Sequence, residues 1–155
     1  MKEEQRERVQ RFRTLTLLAV FIVALGLLLT QCPSNRDGMP GQLAQSMDET
    51  VTAARSGALA IDLWLQRRST NQLTSVQISD ARDEVVKAYE GIAELKAEDP
   101  VDIRRQRMLT QSMTEIIGQL NAASATLRTV TAAPSLDSVR ASLLTSADEL
   151  ESGYR

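Results

Sequence analysis

Hydrophobic and polar positions divide the chain into five blocks. The first, TLTLLAVFIVALGLLLT from Thr14 to Thr30, holds no charged residue, and Arg13 closes it on its N-terminal side. A bilayer core about 30 Å thick needs roughly 20 apolar residues in a helix. Hydrocarbon leaves no partner for backbone N–H and C=O groups, so such a run must be helical. The pattern predicts a membrane-spanning helix over residues 14–31, with Gln31 at the interface.

The other four blocks repeat at helical spacing. Leu43, Met47, Val51, Ala54, Ala58, Ile61 and Leu65 form an a/d-like stripe, which predicts a helix over 40–67 with Pro40 in its first turn. Val76 or Ile78 begins a second stripe that continues through Ala81, Val85, Tyr89, Ile92 and Leu95, predicting 72–98. Leu109, Met113, Ile116, Leu120, Ala123, Leu127 and Val130 predict 100–132. There Asp99 is a suitable N-cap and Pro100 a suitable first helical residue. Leu136, Val139, Leu143, Ala147, Leu150 and Tyr154 predict 135–153, capped by Ser135. No stretch alternates at period two over a useful length, so no strand is expected. Gly57, Gly91 and Gly118 fall inside helices, where close approach of a neighbouring helix is the expected reason for each.

The expected fold is therefore all-α: one N-terminal transmembrane helix, then an antiparallel four-helix bundle joined by short turns. The boundaries read as a tail over 1–13, a signal anchor over 14–31, a Pro- and Gly-rich linker over 32–41 and the bundle over 42–155. Antiparallel order puts the 98–101 turn and the C-terminus at the anchor end of the bundle.

Charge sets the orientation. Lys2, Arg6, Arg8, Arg11 and Arg13 precede the apolar run, and no base follows it until Arg36. The positive-inside rule then keeps the N-terminus cytoplasmic and places the bundle outside, in the periplasm if the membrane is a bacterial inner membrane. Two processing alternatives stay open. A cleaved signal peptide needs a small-x-small site, which Leu29-Thr30-Gln31-Cys32 does not supply. A lipoprotein would be lipidated at Cys32, although Gln31 stands where a small residue is usual.

Composition narrows the chemistry. The chain has no histidine, which excludes histidine metal ligands, histidine general bases and Ser-His triads. Cys32 is the only cysteine, so no intramolecular disulfide forms. Residues 33–155 carry thirteen bases against seventeen acids, with no nucleic-acid footprint. No catalytic, cofactor or metal motif emerges, and the expectation is a protein that is not an enzyme and takes no cofactor.

The candidate contact residues are Arg104, Arg105 and Arg107, three bases at a helix N-terminus where the dipole disfavours them, and Trp64 near the opposite tip. The arginines would meet anionic headgroups or an acidic partner, or else pair with Glu98, Asp99 and Asp102. Trp64 would be core filler or an exposed contact. Between Arg107 and Arg128 only Glu115 is charged, so the outer faces of that helix suit a packed interface or the fourth wall of the bundle.

Three functional classes fit. The first is an accessory or scaffold subunit of a bacterial membrane complex, with membrane lipid around 14–31 and another membrane protein or a second copy on the bundle. The second is an extracytoplasmic sensor or small-ligand-binding bundle; in outline the layout resembles the periplasmic four-helix bundle of bacterial chemoreceptors. The third is a phage inner-membrane spanin, similar in length and anchor but usually a charged coiled coil.

Overall fold

The computed structural model describes residues 38–129 and 133–154. They belong to the second of two units of the chain, Arg36–Arg155. The expected tail 1–13, the expected span 14–31 and Cys32 lie outside the described residues. Among the described residues the protein is all-helical, with four helices and no strand, and no helix is long and apolar enough to cross a membrane.

The helices are α1 (Met39–Leu65), α2 (Asn71–Ala93), α3 (Pro100–Leu127) and α4 (Leu136–Gly153). Their N-termini follow local chemistry. Gly38 precedes α1 at φ 88°, a conformation that favours glycine, and Pro40 lies in the first turn. The hydroxyl of Thr70 accepts from the Leu73 N–H at 3.2 Å, the carboxylate of Asp99 from Val101 at 2.7 Å and the hydroxyl of Ser135 from Ser138 at 3.2 Å. Each satisfies a donor that the first helical turn leaves unpaired.

The C-termini hold two departures from the periodicity. α1 stops at Leu65 in a Schellman turn: the Arg67 N–H donates to Trp64 O and the Arg68 N–H to Leu63 O, with Arg67 at φ 59°. α2 ends at Ala93, short of the expected residue 98. The reason comes from another helix. The Gln106 side-chain amide on α3 donates to Ile92 O at 2.6 Å and Leu95 O at 2.8 Å, binding one carbonyl in the last turn of α2 and one just past its end. Asp99 is extended at ψ 133° ahead of Pro100, as a residue before proline prefers.

Contacts at both ends fix the topology. Trp64 donates its indole N–H to Asn71 across the α1–α2 turn, and Tyr154 donates to Pro40 O at 3.4 Å, closing the end of α4 onto the start of α1. Neighbours in sequence are antiparallel, and α4 returns beside α1. α1 packs against all three other helices, whereas the backbones of α2 and α4 do not approach.

The core is aliphatic and follows the stripes. Leu109, Met113, Ile116, Leu120, Ala123 and Leu127 are all buried on α3, as are Leu136, Val139, Leu143, Ala147 and Leu150 on α4. On α2 the stripe begins at the buried Ile78, and Val76 is exposed. On α1, Leu65 lies at the exposed tip.

Gly57 is where the four helices meet. A Cβ there would lie 2.6 Å from Leu120 Cδ2 on α3, 3.6 Å from Ala81 Cβ on α2 and 3.8 Å from Leu143 Cδ1 on α4. Gly91 and Gly118 differ from the expectation, because a Cβ on either meets nothing within 4 Å. Both lie on exposed positions, and no neighbouring helix requires them to lack a side chain.

Candidate interaction surface

Four of the large apolar side chains that escape the core lie at one level of the bundle, while Leu65 sits at the tip of α1 and Val101 and Ile103 at the start of α3. Leu59 is 58% exposed, Val76 55% and Leu73 52%, and Leu144 is also exposed. Helix register brings them together. Gly57 faces Ala81 and Trp64 reaches Asn71, so antiparallel pairing sets Leu59 level with Val76, and the half-buried Leu63 level with Leu73. On the other flank, Arg55 bonds Asp148 and Asp62 pairs with Arg140, which sets Leu59 level with Leu144. The result is an apolar patch crossing α4, α1 and α2, centred on Leu59. Single exposed apolar residues are ordinary on a protein surface, but a contiguous group marks a contact site.

Ion pairs frame the α4 flank. Arg55 donates to Asp148 Oδ1 at 2.9 Å and to Glu151 Oε2 at 2.7 Å, and Arg140 lies 3.4 Å from Asp62 Oδ1. The hydrogen bonds to Asp148 first, and to Glu151 next, hold the Arg55 guanidinium above its ordinary pKa. These pairs pin α4 against α1 beside Leu144.

Charges outside any ion pair among the described residues frame the patch along the helix axis, with Glu49 accepting from Gln45 Nε2 at 2.9 Å. Arg67 and Arg68 are exposed at the tip beyond Leu63, with no ion pair among the described residues. Toward the other end, Glu49, Asp80 and Glu84 are exposed and likewise form no ion pair there. Between α1 and α2 that acidic end opens into a surface groove of about 440 Å³ lined by Asp48, Glu49, Thr52, Glu84 and Lys87.

The sequence-predicted contact residues fall elsewhere. Arg105 is half-buried, 3.9 Å from Asp102 and with its guanidinium 5.0 Å from the centre of the Tyr154 ring. It thus joins the start of α3 to the end of α4, next to the start of α1. Arg104 and Arg107 are exposed and form no ion pair among the described residues. Trp64 is half-buried against the core, with its N–H on Asn71, and holds the tip together. Leu59, Leu73 and Leu144 were outside every stripe. Their signal was a large aliphatic side chain at a position the helical steps leave for solvent.

The uncharged face of α3 partly serves as a bundle wall. Gln119 donates to Ser146 Oγ on α4 at 2.9 Å, and Thr126 to Pro134 O at 3.1 Å. Thr110 and Thr114 return their hydroxyls to carbonyls one turn back. An open groove of about 360 Å³ remains beside Gly118, Gln119, Ser138 and Ser142, and the buried Gln119 Oε1 has no hydrogen-bond partner there.

Among the described residues no three His, Cys, Asp or Glu side chains converge in a way that could hold a metal ion. The surface around Leu59 offers apolar area, charge at its rim and hydrogen-bonding groups. Comparison with protein-family models, with curated proteins and with solved structures gives no match.

Proposed function

We propose that the chain is a non-catalytic, membrane-anchored helical bundle that serves as an accessory or scaffold subunit of a bacterial membrane protein complex. Residues 14–31 cross the inner membrane once, with the N-terminus cytoplasmic and the bundle extracytoplasmic. The observation that carries the reading is the apolar patch around Leu59, which holds the three most exposed large apolar side chains among the described residues, Leu59, Val76 and Leu73. The uncharged run at 14–30 and the five bases before it support the anchor.

A ligand-binding bundle is the second reading, favoured by the partnerless Gln119 Oε1 in the α3–α4 groove. That groove opens to the surface, and a small-molecule site is more often an enclosed cleft.

Fractionation of cells expressing the full chain tests the proposal. The chain should stay in the membrane through an alkaline wash, and protease added to spheroplasts should digest the bundle while sparing residues 1–13. Intact mass of the same material reports the fate of residues 1–31 and of Cys32. Release by the alkaline wash, or a bundle protected in spheroplasts, would overturn the anchored reading.

A further inference from the structure

We infer that the patch around Leu59 takes a second copy of this chain, and that the two copies pair antiparallel about a two-fold axis through Leu59. The inference rests on the reading of that patch as an interaction surface and names its occupant.

A two-fold interface places the same surface on both partners, so every charge must meet its counterpart after rotation. Apart from Arg55 and Asp62, whose charges are paired with α4, the order along α1 is bases at the tip, apolar side chains in the middle and acids beyond. At 1.5 Å per residue, Arg67 lies about 12 Å from Leu59 along the axis, and Glu49 about 15 Å the other way. Glu84, on α2, sits at the level of Thr52 across the α1–α2 groove.

Rotation about an axis perpendicular to the helices through Leu59 lays Leu59 on its own copy and Val76 close to its own, while Leu63 and Leu73, about 6 Å toward the tip, cross to the level of residue 55 of the other copy, so that the apolar stretches overlap around Leu59. The same rotation sets Arg67 and Arg68 of each copy over the end of the other where Glu49 and Glu84 outnumber Lys87. Arg67, Arg68, Glu49 and Glu84 are exposed and have no ion pair among the described residues, so pairing them breaks no existing bridge. Rotation about an axis parallel to the helices would also join the apolar side chains. It would set Arg67 and Arg68 against themselves and acid against acid, a repulsive arrangement. The charge pattern therefore selects the antiparallel pair, in which the two Met39 ends point in opposite directions.

Site-directed cross-linking of the full chain in mild detergent, in a Cys32→Ser background, tests the geometry. Leu59→Cys should form a disulfide-linked dimer under mild oxidation. Mixed Arg67→Cys and Glu49→Cys copies should cross-link to each other, and Arg67→Cys alone should not. Gln111→Cys, on an exposed position of α3, should remain monomeric. Charge reversal gives an independent readout. Arg67→Glu/Arg68→Glu should weaken self-association about tenfold, as should Glu49→Lys/Glu84→Lys, while a mixture of the two should form a heterodimer at wild-type affinity.

Cross-linking of Arg67→Cys with itself would overturn the antiparallel arrangement. A monomeric wild-type chain, with no excess of Leu59→Cys cross-links over Gln111→Cys, would overturn the second copy as occupant. If Leu59→Glu then still stripped the chain from a membrane complex, the patch would stand as an interaction surface with a different partner. If it did not, both readings would fall.

Discussion

Leu120 fills the space that a side chain at Gly57 would need, its Cδ2 lying 2.6 Å from where that Cβ would be. The contact lets α1 and α3 touch across the bundle diagonal while α2 and α4 stay apart. Alanine at position 57 should gain about 1 kcal/mol in helix propensity and lose about 1–3 kcal/mol to overpacking. Gly57→Ala is expected to lower stability overall, and less so when Leu120 is also alanine, since the new methyl then enters the cavity. Alanine at Gly91 or Gly118, where the space is open, should raise stability by about 0.5–1 kcal/mol. Chemical denaturation followed by circular dichroism measures all of these. Stabilisation by Gly57→Ala would contradict the packing.

Gln106 should matter more than an ordinary half-buried polar residue. Its amide is the donor that binds both Ile92 O and Leu95 O. Gln106→Ala leaves those carbonyls without it and should cost about 1–2 kcal/mol. Hydrogen exchange should quicken at the end of α2 and in residues 94–97 before it changes elsewhere. Uniform quickening across all four helices would argue against a local cap.

Two helix ends use a left-handed residue that is not glycine. Arg67 has φ 59° and Thr129 φ 56°. Left-handed backbone costs a residue bearing a Cβ about 1 kcal/mol, and more when it is β-branched. Arg67→Gly and Thr129→Gly should each raise the denaturation midpoint, Thr129→Gly by the larger amount. An unchanged or lowered midpoint at both positions would contradict the assigned turns.

The helices were legible in the sequence because burial on a helix repeats with a period that the chain itself carries. Every stripe position from Leu109 to Leu127 is buried. The end of α2 was not legible, because Glu94, Leu95 and Lys96 are good helix formers and the group that stops them is Gln106, on the next helix. The patch was hidden for a related reason. Leu59 and Val76 are far apart in sequence, and only the register between helices makes them neighbours. Glycine was misread in two of three places because its effect depends on what stands opposite it. Of the three arginines, the half-buried Arg105 takes the expected alternative of pairing with Asp102 and also lies over the Tyr154 ring, a contact between α3 and α4 that no local pattern carries.

Stability of the bundle should be nearly independent of pH between about pH 6 and about pH 9, because residues 38–154 hold neither a histidine nor a cysteine to titrate there. Arg55 is held above its ordinary pKa by Asp148 and then Glu151. A base raised in this way contributes stability that is fully present below its unfolded-state pKa. That contribution is lost only as pH rises through the folded-state value, well above this window. Denaturation midpoints across the window should coincide, and a slope would require a titrating group that the bundle does not hold.

The account turns on whether the Leu59 face is an interface. The most direct measurement is the mass of the protein particle after mild-detergent extraction, for the wild-type chain and for Leu59→Glu/Val76→Glu. Both substitutions fall on exposed positions, so the bundle should keep its helicity. The wild-type particle should hold at least two chains of 17.1 kDa, and the double variant one. The same mass for both would contradict the account.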